Sequence, residues 1–212
     1  MSLDVAEIFH SIQGESSHSG WPCVFVRLAG CNLRCTWCDT QYAYAGGKIM
    51  SVAEAVERVR AFGCARVEVT GGEPLLQKQT PELVARLLHK GHLVLIETNG
   101  SQNISLVPPG AVIIMDVKPP SSGESGAMDR DNFNRLRPGD ELKFVIAGFE
   151  DYKWAAALIR EAGPFQCVVH FAPVFGVLDP SVLVGWILKD RLNVRLNLQL
   201  HKYIWPPETR GV

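Results

Sequence analysis

The strongest constraint on the fold is a repeating alternation along the 212 residues. Short β-branched runs at 24–28, 66–69, 93–97, 112–117, 141–146, 166–171 and 194–200 recur, most ending in Gly, Thr, Asn or Asp. Helical patterns fit between most of them, which predicts β-α units around a mostly parallel sheet. A further strand is expected over 5–10, ahead of a loop. Residues 51–62 begin with Ser51 and carry Glu54 three positions later, a capping-box pattern, and Val52, Ala55, Val56 and Val59 share one helical face. Gly63 ends that helix. Pro81 in a first turn and Gly91 after the last predict a second helix over 80–90, and two more are expected over 151–161 and 180–188. The length fits one domain, 1–212, with a core large enough to need no covalent staples.

Charge excludes some functions. Lys plus Arg (21) nearly cancels Asp plus Glu (22), so no basic footprint for nucleic acid is present. The N-terminus has neither the basic flank nor the apolar core of a signal peptide, and no apolar run reaches membrane-spanning length. A cytoplasmic protein without membrane or nucleic-acid partners is expected. In a reducing compartment clustered cysteines bind metal or do redox chemistry rather than form disulfides. Cys23, Cys64 and Cys167 are scattered in apolar contexts and read as small core residues.

The other three cysteines, Cys31, Cys35 and Cys38, lie in AGCNLRCTWCDTQYAY, just after the strand over 24–28. In parallel α/β folds chemistry sits at the carboxyl ends of strands, and this is one. A structural zinc site closes with two ligand pairs, and only Cys35-x-x-Cys38 supplies one. A thioredoxin-like dithiol would leave Cys31 idle. Three soft thiolates spaced x3 then x2 suit three corners of a [4Fe-4S] cube, with one iron left open.

The spacing Cys31-x3-Cys35-x2-Cys38, with Trp37 before the last cysteine, resembles the signature of the radical S-adenosylmethionine (SAM) superfamily. A second match lies at the end of the next predicted strand, where Thr70-Gly71-Gly72-Glu73-Pro74 resembles that superfamily's SAM-binding glycine-rich segment. Gly71 and Gly72 also permit a close backbone approach that a side chain would block. Over nearly the whole chain the resemblance narrows to the 7-carboxy-7-deazaguanine synthases. It rests on the stretch from Phe9 to Ser16, Arg27, Asp39-Thr40, Glu97-Thr98-Asn99-Gly100, the stretch from Asp116 to Gly123, and Leu198 to Lys202.

That resemblance implies an α/β fold, a partial, mostly parallel (β/α)6-type barrel trimmed relative to larger members. It implies a radical ring contraction of 6-carboxy-5,6,7,8-tetrahydropterin with loss of ammonia, SAM being re-formed and Mg2+ assisting. An electron donor such as flavodoxin or ferredoxin and a homodimer are implied with it. Carried onto this sequence, Ile12, Gln13, Gly14, Glu15, Arg27, Thr70 and His201 would meet substrate. Trp37, Cys38, Asp39, Gly72, Glu73, Asp116, Val117 and Lys118 would line SAM, and Thr40 would hold Mg2+.

Residue chemistry supports part of this. Arg27 among apolar neighbours needs an anionic partner, either a substrate carboxylate or a protein one. Gln13 and Glu15 beside a glycine loop could read the donor and acceptor edge of an aminopyrimidinone. Oxygen groups at Asp39 and Thr40 suit magnesium. Asp116 read alone is a strand-end cap, Lys118 a surface charge and His201 a hydrogen-bonded structural residue. The Pro-, Ser- and Gly-rich loop over 119–130 is a solvated connection or, more sharply, a lid. The tail over 203–212 departs from the endings of that family, which leaves Val212 outside the expected site. A glycyl-radical activase shares the cysteine spacing but has no use for Gln13, Glu15 and Arg27; a non-catalytic iron-sulfur or zinc module would leave SAM intact.

Overall fold

The computed structural model describes residues 2–212. A nine-stranded sheet runs through the molecule in the order β3-β1-β2-β4-β5-β6-β7-β8-β9. The strands are β1 (Ser2–Ile12), β2 (Pro22–Leu28), β3 (Lys48–Ser51), β4 (Arg66–Gly71), β5 (Leu93–Thr98), β6 (Val112–Val117), β7 (Glu141–Ile146), β8 (Val168–Pro173) and β9 (Arg195–Leu196). From β2 to β9 every pairing is parallel, whereas β1 runs antiparallel to β2 and β3. The sheet does not close, since β3 and β9 are its two edges, so the expected partial barrel is an open one.

The helices follow the expected pattern. In α1 (Val52–Ala61) the Ser51 side chain accepts from the Glu54 backbone N–H, and Val52, Ala55, Val56 and Val59 are all buried. The next, α2 (Thr80–His89), ends before Gly91 at φ +86°, the left-handed conformation that glycine adopts without penalty. A one-turn α3 (Asn132–Arg135) precedes β7; α4 (Phe149–Ala162) and α5 (Pro180–Asp190), the latter capped by Asp179, follow as expected, and α6 (His201–Ile204) lies near the end. None of the described helices is long and apolar enough to cross a membrane.

Two expectations change. The run over 194–200 is strand only at Arg195–Leu196. Its remaining alternation is taken up elsewhere: Asn197 N donates to Phe171 O (2.9 Å), and Leu200 N donates to Gly14 O (2.9 Å), which turns the chain onto the loop after β1. The loop over 119–130 is a buttress rather than a lid. Ser122 is fully buried and its carbonyl accepts from Thr36 N (3.0 Å), while Glu124 Oε1 accepts from Arg34 N (2.6 Å).

The period-2 alternation of strands decides the position of the site. On β4, β6 and β7 one phase, Val67, Val69, Ile113, Met115, Val117, Leu142, Phe144 and Ile146, forms the helix-covered core. The opposite phase carries Glu68, Thr70, Asp116 and Lys143 on the other face, and that face floors a cavity.

Candidate active site

The cavity has a volume of about 890 Å³, and Cys31, Cys35 and Cys38 line one end of it. All three are free and half-buried. Their loop leaves β2 and is held from two sides. From β4, Gly72 N donates to Leu28 O (3.1 Å) and Glu73 N donates to Gly30 O (2.8 Å). A Cβ on Gly72 would lie 2.2 Å from Gly30 O and 2.7 Å from Cys31 Cβ, so the glycine here serves the approach of the cysteine loop itself. The loop after β6 supports the other side through Ser122 and Glu124. Cys31 Sγ accepts from Leu33 N (3.4 Å) and Asn99 Nδ2 (3.9 Å).

Burial raises the thiol pKa of Cys31 and Cys35, and Lys118 opposes that rise at both. These residues fit the cluster that the spacing implies. Among the described residues no three Cys, His, Asp or Glu side chains converge as a single ion requires, whereas three thiols around one open cavity suit the separate corners of a cube.

The other end of the cavity is built from charge. The β1–β2 register pairs Glu7 with Arg27, and Arg27 Nε donates to Glu7 Oε1 at 2.8 Å. The Tyr42 hydroxyl donates to the same oxygen (2.7 Å), and the guanidinium lies 5.8 Å from the Phe9 ring centroid and 6.0 Å from that of Tyr42. The β2–β4 register sets Arg27 beside Thr70, whose hydroxyl donates to Glu97 Oε2 (3.2 Å). Asp116 and Lys143 are register partners on β6 and β7. Lys143 Nζ pairs with Glu15 (2.9 Å), Glu97 and, at 3.7 Å, Asp116; Lys118 Nζ pairs with Asp116 at 2.8 Å. Burial disfavours both ammoniums, but the carboxylates around them hold both lysine pKa values above the ordinary range.

Gln13 is turned inward. It is 3% exposed, its amide donates to Glu68 Oε2, and its carbonyl oxygen accepts from Glu15 N (3.0 Å). Glu15 accepts from Lys143 and from Gln199 Nε2 (2.9 Å); burial opposes its charge, yet these partners pull its pKa below the usual value. Gly14 lies against His201, where a Cβ would fall 2.1 Å from Nδ1. Burial lowers the His201 pKa more than Glu15 raises it, so the imidazole is neutral at pH 7.

Next to the cysteines, Asp39 Oδ2 accepts from Lys202 Nζ (2.6 Å) and Gln199 Nε2 (3.3 Å), and Thr40 Oγ1 donates to Asp39 Oδ1 (2.9 Å). Burial works against the Asp39 charge, but Lys202 holds its pKa well below the carboxylate range.

Nearly every residue expected at the site lines this one cavity, Ile12, Trp37 and Thr40 included. Two do not. Val117 sits on the core phase of β6 and is fully buried there. Glu73 is also fully buried and points away, accepting from Leu75 N (2.9 Å), Asn99 N (2.6 Å) and the Thr98 hydroxyl (2.9 Å). The tail is a correction in the other direction. Residues 207–212, Val212 among them, line the cavity, and Arg210 stacks 4.1 Å from the Tyr42 ring centroid. Sequence reasoning also passed over Glu68 and Lys143, and it gave no site role to Glu97 and Gln199, which it named only within stretches that carry the resemblance. For Glu68 and Lys143 a signal existed: each stands alone among apolar neighbours at a period-2 position whose phase Thr70 and Asp116 define.

A model of the radical SAM superfamily matches residues 26–107, the segment from β2 through the cysteine loop and the glycine-rich turn. Fold and site together define a radical SAM enzyme. A 7-carboxy-7-deazaguanine synthase of Chlorobaculum tepidum is 49% identical over 99% of this chain and 97% of its own, and one of Koribacter versatilis is 45% identical over 99% and 100%. The crystal structure of QueE from Escherichia coli superposes with a TM-score of 0.80 over 95% of each chain at 22% identity, a likeness of fold. This chain belongs to the 7-carboxy-7-deazaguanine synthase family.

Proposed function

We propose that residues 1–212 work as one radical SAM domain that converts 6-carboxy-5,6,7,8-tetrahydropterin, by ring contraction with loss of ammonia, into 7-carboxy-7-deazaguanine. The observation that carries the substrate reading is Arg27. Its Nε is fixed by Glu7, and among the described residues no other carboxylate comes within ion-pair distance of it, while its side chain lines the cavity. The remaining guanidinium edge is thus available to a substrate carboxylate, the partner its fork geometry suits.

Cys31, Cys35 and Cys38 would hold a [4Fe-4S] cluster at the other end, and Trp37, Asp39, Gly72, Asp116 and Lys118 would line SAM beside it. When bound, the reduced cluster and SAM would supply radical hydrogen-abstraction chemistry at the substrate, with SAM regenerated. Thr70, Glu15 and His201 line the cavity and would orient the ring system. Thr40 would hold Mg2+: its hydroxyl and the Asp39 carboxylate next to it are the hard oxygen groups that magnesium takes. A flavodoxin- or ferredoxin-like electron donor and a homodimer belong to the same reading and rest on the family.

Anaerobically reconstituted protein is expected to carry about four irons per chain, as a cubane requires. Given reductant, SAM and the carboxylated tetrahydropterin, mass spectrometry should show a product lighter by ammonia with SAM undiminished, and added Mg2+ should raise the rate. Cys31→Ala, Cys35→Ala or Cys38→Ala should each abolish 5′-deoxyadenosine formation. Stoichiometric zinc in place of iron, or SAM consumed with no loss of ammonia, would refute the reading.

A further inference from the structure

The loop after β1 was expected to read the aminopyrimidinone ring through Gln13 and Glu15, yet the Gln13 carboxamide is occupied on both sides by protein partners. A different set of groups faces the cavity. Glu68, Glu97, Asp116 and Lys143 come from four adjacent strands, and Glu15 joins them from the loop.

Counting charges separates their roles. Asp116 has Lys118 at 2.8 Å. Among the described residues Glu68 has no cation within ion-pair distance; it accepts from Gln13, and burial together with the Glu97 charge pushes its pKa well above the carboxylate range. Glu68 thus bonds Gln13 and makes no ion pair with Lys143. Glu15 and Glu97 remain, and both are bound by the single Lys143 ammonium, whose side chain is 5% exposed.

A buried ion triad is a poor means of stabilising a fold, since apolar residues of similar volume do as well or better. Its other consequence is geometric. Each carboxylate gives one oxygen to Lys143 and the other to a single neutral donor, Gln199 Nε2 for Glu15 and the Thr70 hydroxyl for Glu97, so each oxygen keeps a further lone pair; the side chains of Glu15 and Glu97 retain 20% and 28% exposure, and both residues line the cavity.

We propose that Lys143 is a positioning residue for substrate recognition: its ammonium fixes Glu15 and Glu97 as a paired acceptor edge for the ring N–H and exocyclic amino donors of an aminopyrimidinone. This rests on the pterin reading above. The acceptors do the recognising, and Lys143 acts through them by holding both carboxylates in register.

The test is discrimination between two stable fluorescent probes, 6-carboxypterin and 6-carboxylumazine, which carries an oxo group where the pterin has its amino group. Binding is measured anaerobically by fluorescence titration on the cluster-reconstituted protein. A site whose acceptors are built for donors rejects an analogue lacking them, so the unsubstituted protein should favour the pterin by about tenfold or more. In Lys143→Met, with iron content and circular dichroism unchanged, the preference should fall to about threefold or less, the residue of a tenfold factor once its hydrogen-bonding part is lost. Glu15→Gln, which removes an acceptor charge without stranding one, should lower it too and carries the test should the Met variant not fold. Full preference retained in the folded variants, or none in the unsubstituted protein, overturns the role of Lys143. Failure of the pterin reading looks different: the unsubstituted protein then binds neither probe and does not turn over the tetrahydropterin.

Discussion

Glu73 offers a test in which two roles predict different outcomes. The resemblance places it against SAM, whereas the structure buries its carboxylate completely, with two backbone N–H groups and one hydroxyl donating to it. Glu73→Gln keeps the volume and turns one oxygen into an amide NH2. Leu75 N donates to Oε1 and Asn99 N donates to Oε2, so whichever way the amide is placed, one backbone N–H faces another donor. An unsatisfied buried donor costs about 1–3 kcal/mol. Taking about 2 kcal/mol, and about 2–4 °C per kcal/mol for a protein of this size, the melting temperature should fall by about 4–8 °C. The assay is thermal unfolding of the anaerobic protein followed by circular dichroism, alongside SAM affinity of the reconstituted enzyme. Because Asn99 carries the Nδ2 group near Cys31, lower iron retention on mild oxidation should accompany the shift. A melting temperature within about 1 °C of the unsubstituted protein would refute this account, since that is under 0.5 kcal/mol by the same conversion; SAM affinity lost at unchanged stability would restore the contact with SAM.

Three further outcomes follow from local geometry. Gly72→Ala puts a methyl 2.2 Å from the Gly30 carbonyl oxygen, so iron content after reconstitution should drop several-fold while the far-UV spectrum is kept; normal iron loading would show that the loop does not need this contact. Gly185→Ala, inside α5 with nothing within 4 Å of the added Cβ, is the matched control and should stabilise by about 0.5–1 kcal/mol. For Glu68 the folded pKa lies above the unfolded value of about 4.3. Its contribution to stability is therefore complete below that value and is lost as pH rises through the folded pKa. Glu68→Gln, which cannot ionise, should lose less stability than the unsubstituted protein between about pH 5 and pH 8; equal slopes in urea titrations across that range would show that Glu68 is not held neutral.

The sheet was legible because its parallel strands are buried on the helix side and read as β-branched runs, and because Ser51, Gly63, Pro81 and Gly91 mark helix ends by local chemistry. What escaped was set by contacts remote in sequence. Lys48–Ser51 forms a strand only because Val5 to Ser2 offer an edge to it. Residues 197–200 alternate like a strand, but the carbonyl of Gly14 competes for Leu200 N and wins. The loop over 119–130 has the composition of a mobile connection, and nothing in its own sequence shows that Thr36 and Arg34 will dock on it. At the site, residue identity was more informative than direction. The superfamily motif includes Glu73 without distinguishing a ligand contact from a buttress, and Val117 follows Asp116 in sequence but faces the opposite side of the sheet. Period 2 alone excludes Val117, and the same rule, applied to β4 and β7, points to Glu68 and Lys143.

The tail shows how a departure in sequence can still serve the same site. Its residues were set aside because they differ from the family's endings, yet Arg210 reaches the cavity through a contact that needs no particular ending, a guanidinium stacked on the Tyr42 ring. Burial raises the Tyr42 pKa to about 12, with Arg27 opposing and the bond to Glu7 adding to it, so Tyr42 stays a hydrogen-bond donor. Its bond to Glu7 and that carboxylate's bond to Arg27 Nε then fix the Nε edge of the guanidinium. Glu7, Tyr42 and Arg210 are linked in series to Arg27, through the Nε bond to Glu7, the Tyr42 bond to the same carboxylate and the stacking of Arg210 on the Tyr42 ring. The orientation of the Arg27 edge proposed to take the substrate carboxylate thus depends on the strand pairing of β1 with β2, on the helical turn that carries Tyr42, and on the tail. No one of these segments specifies that edge by itself, which is why Arg27 was recognisable in the sequence and its support was not.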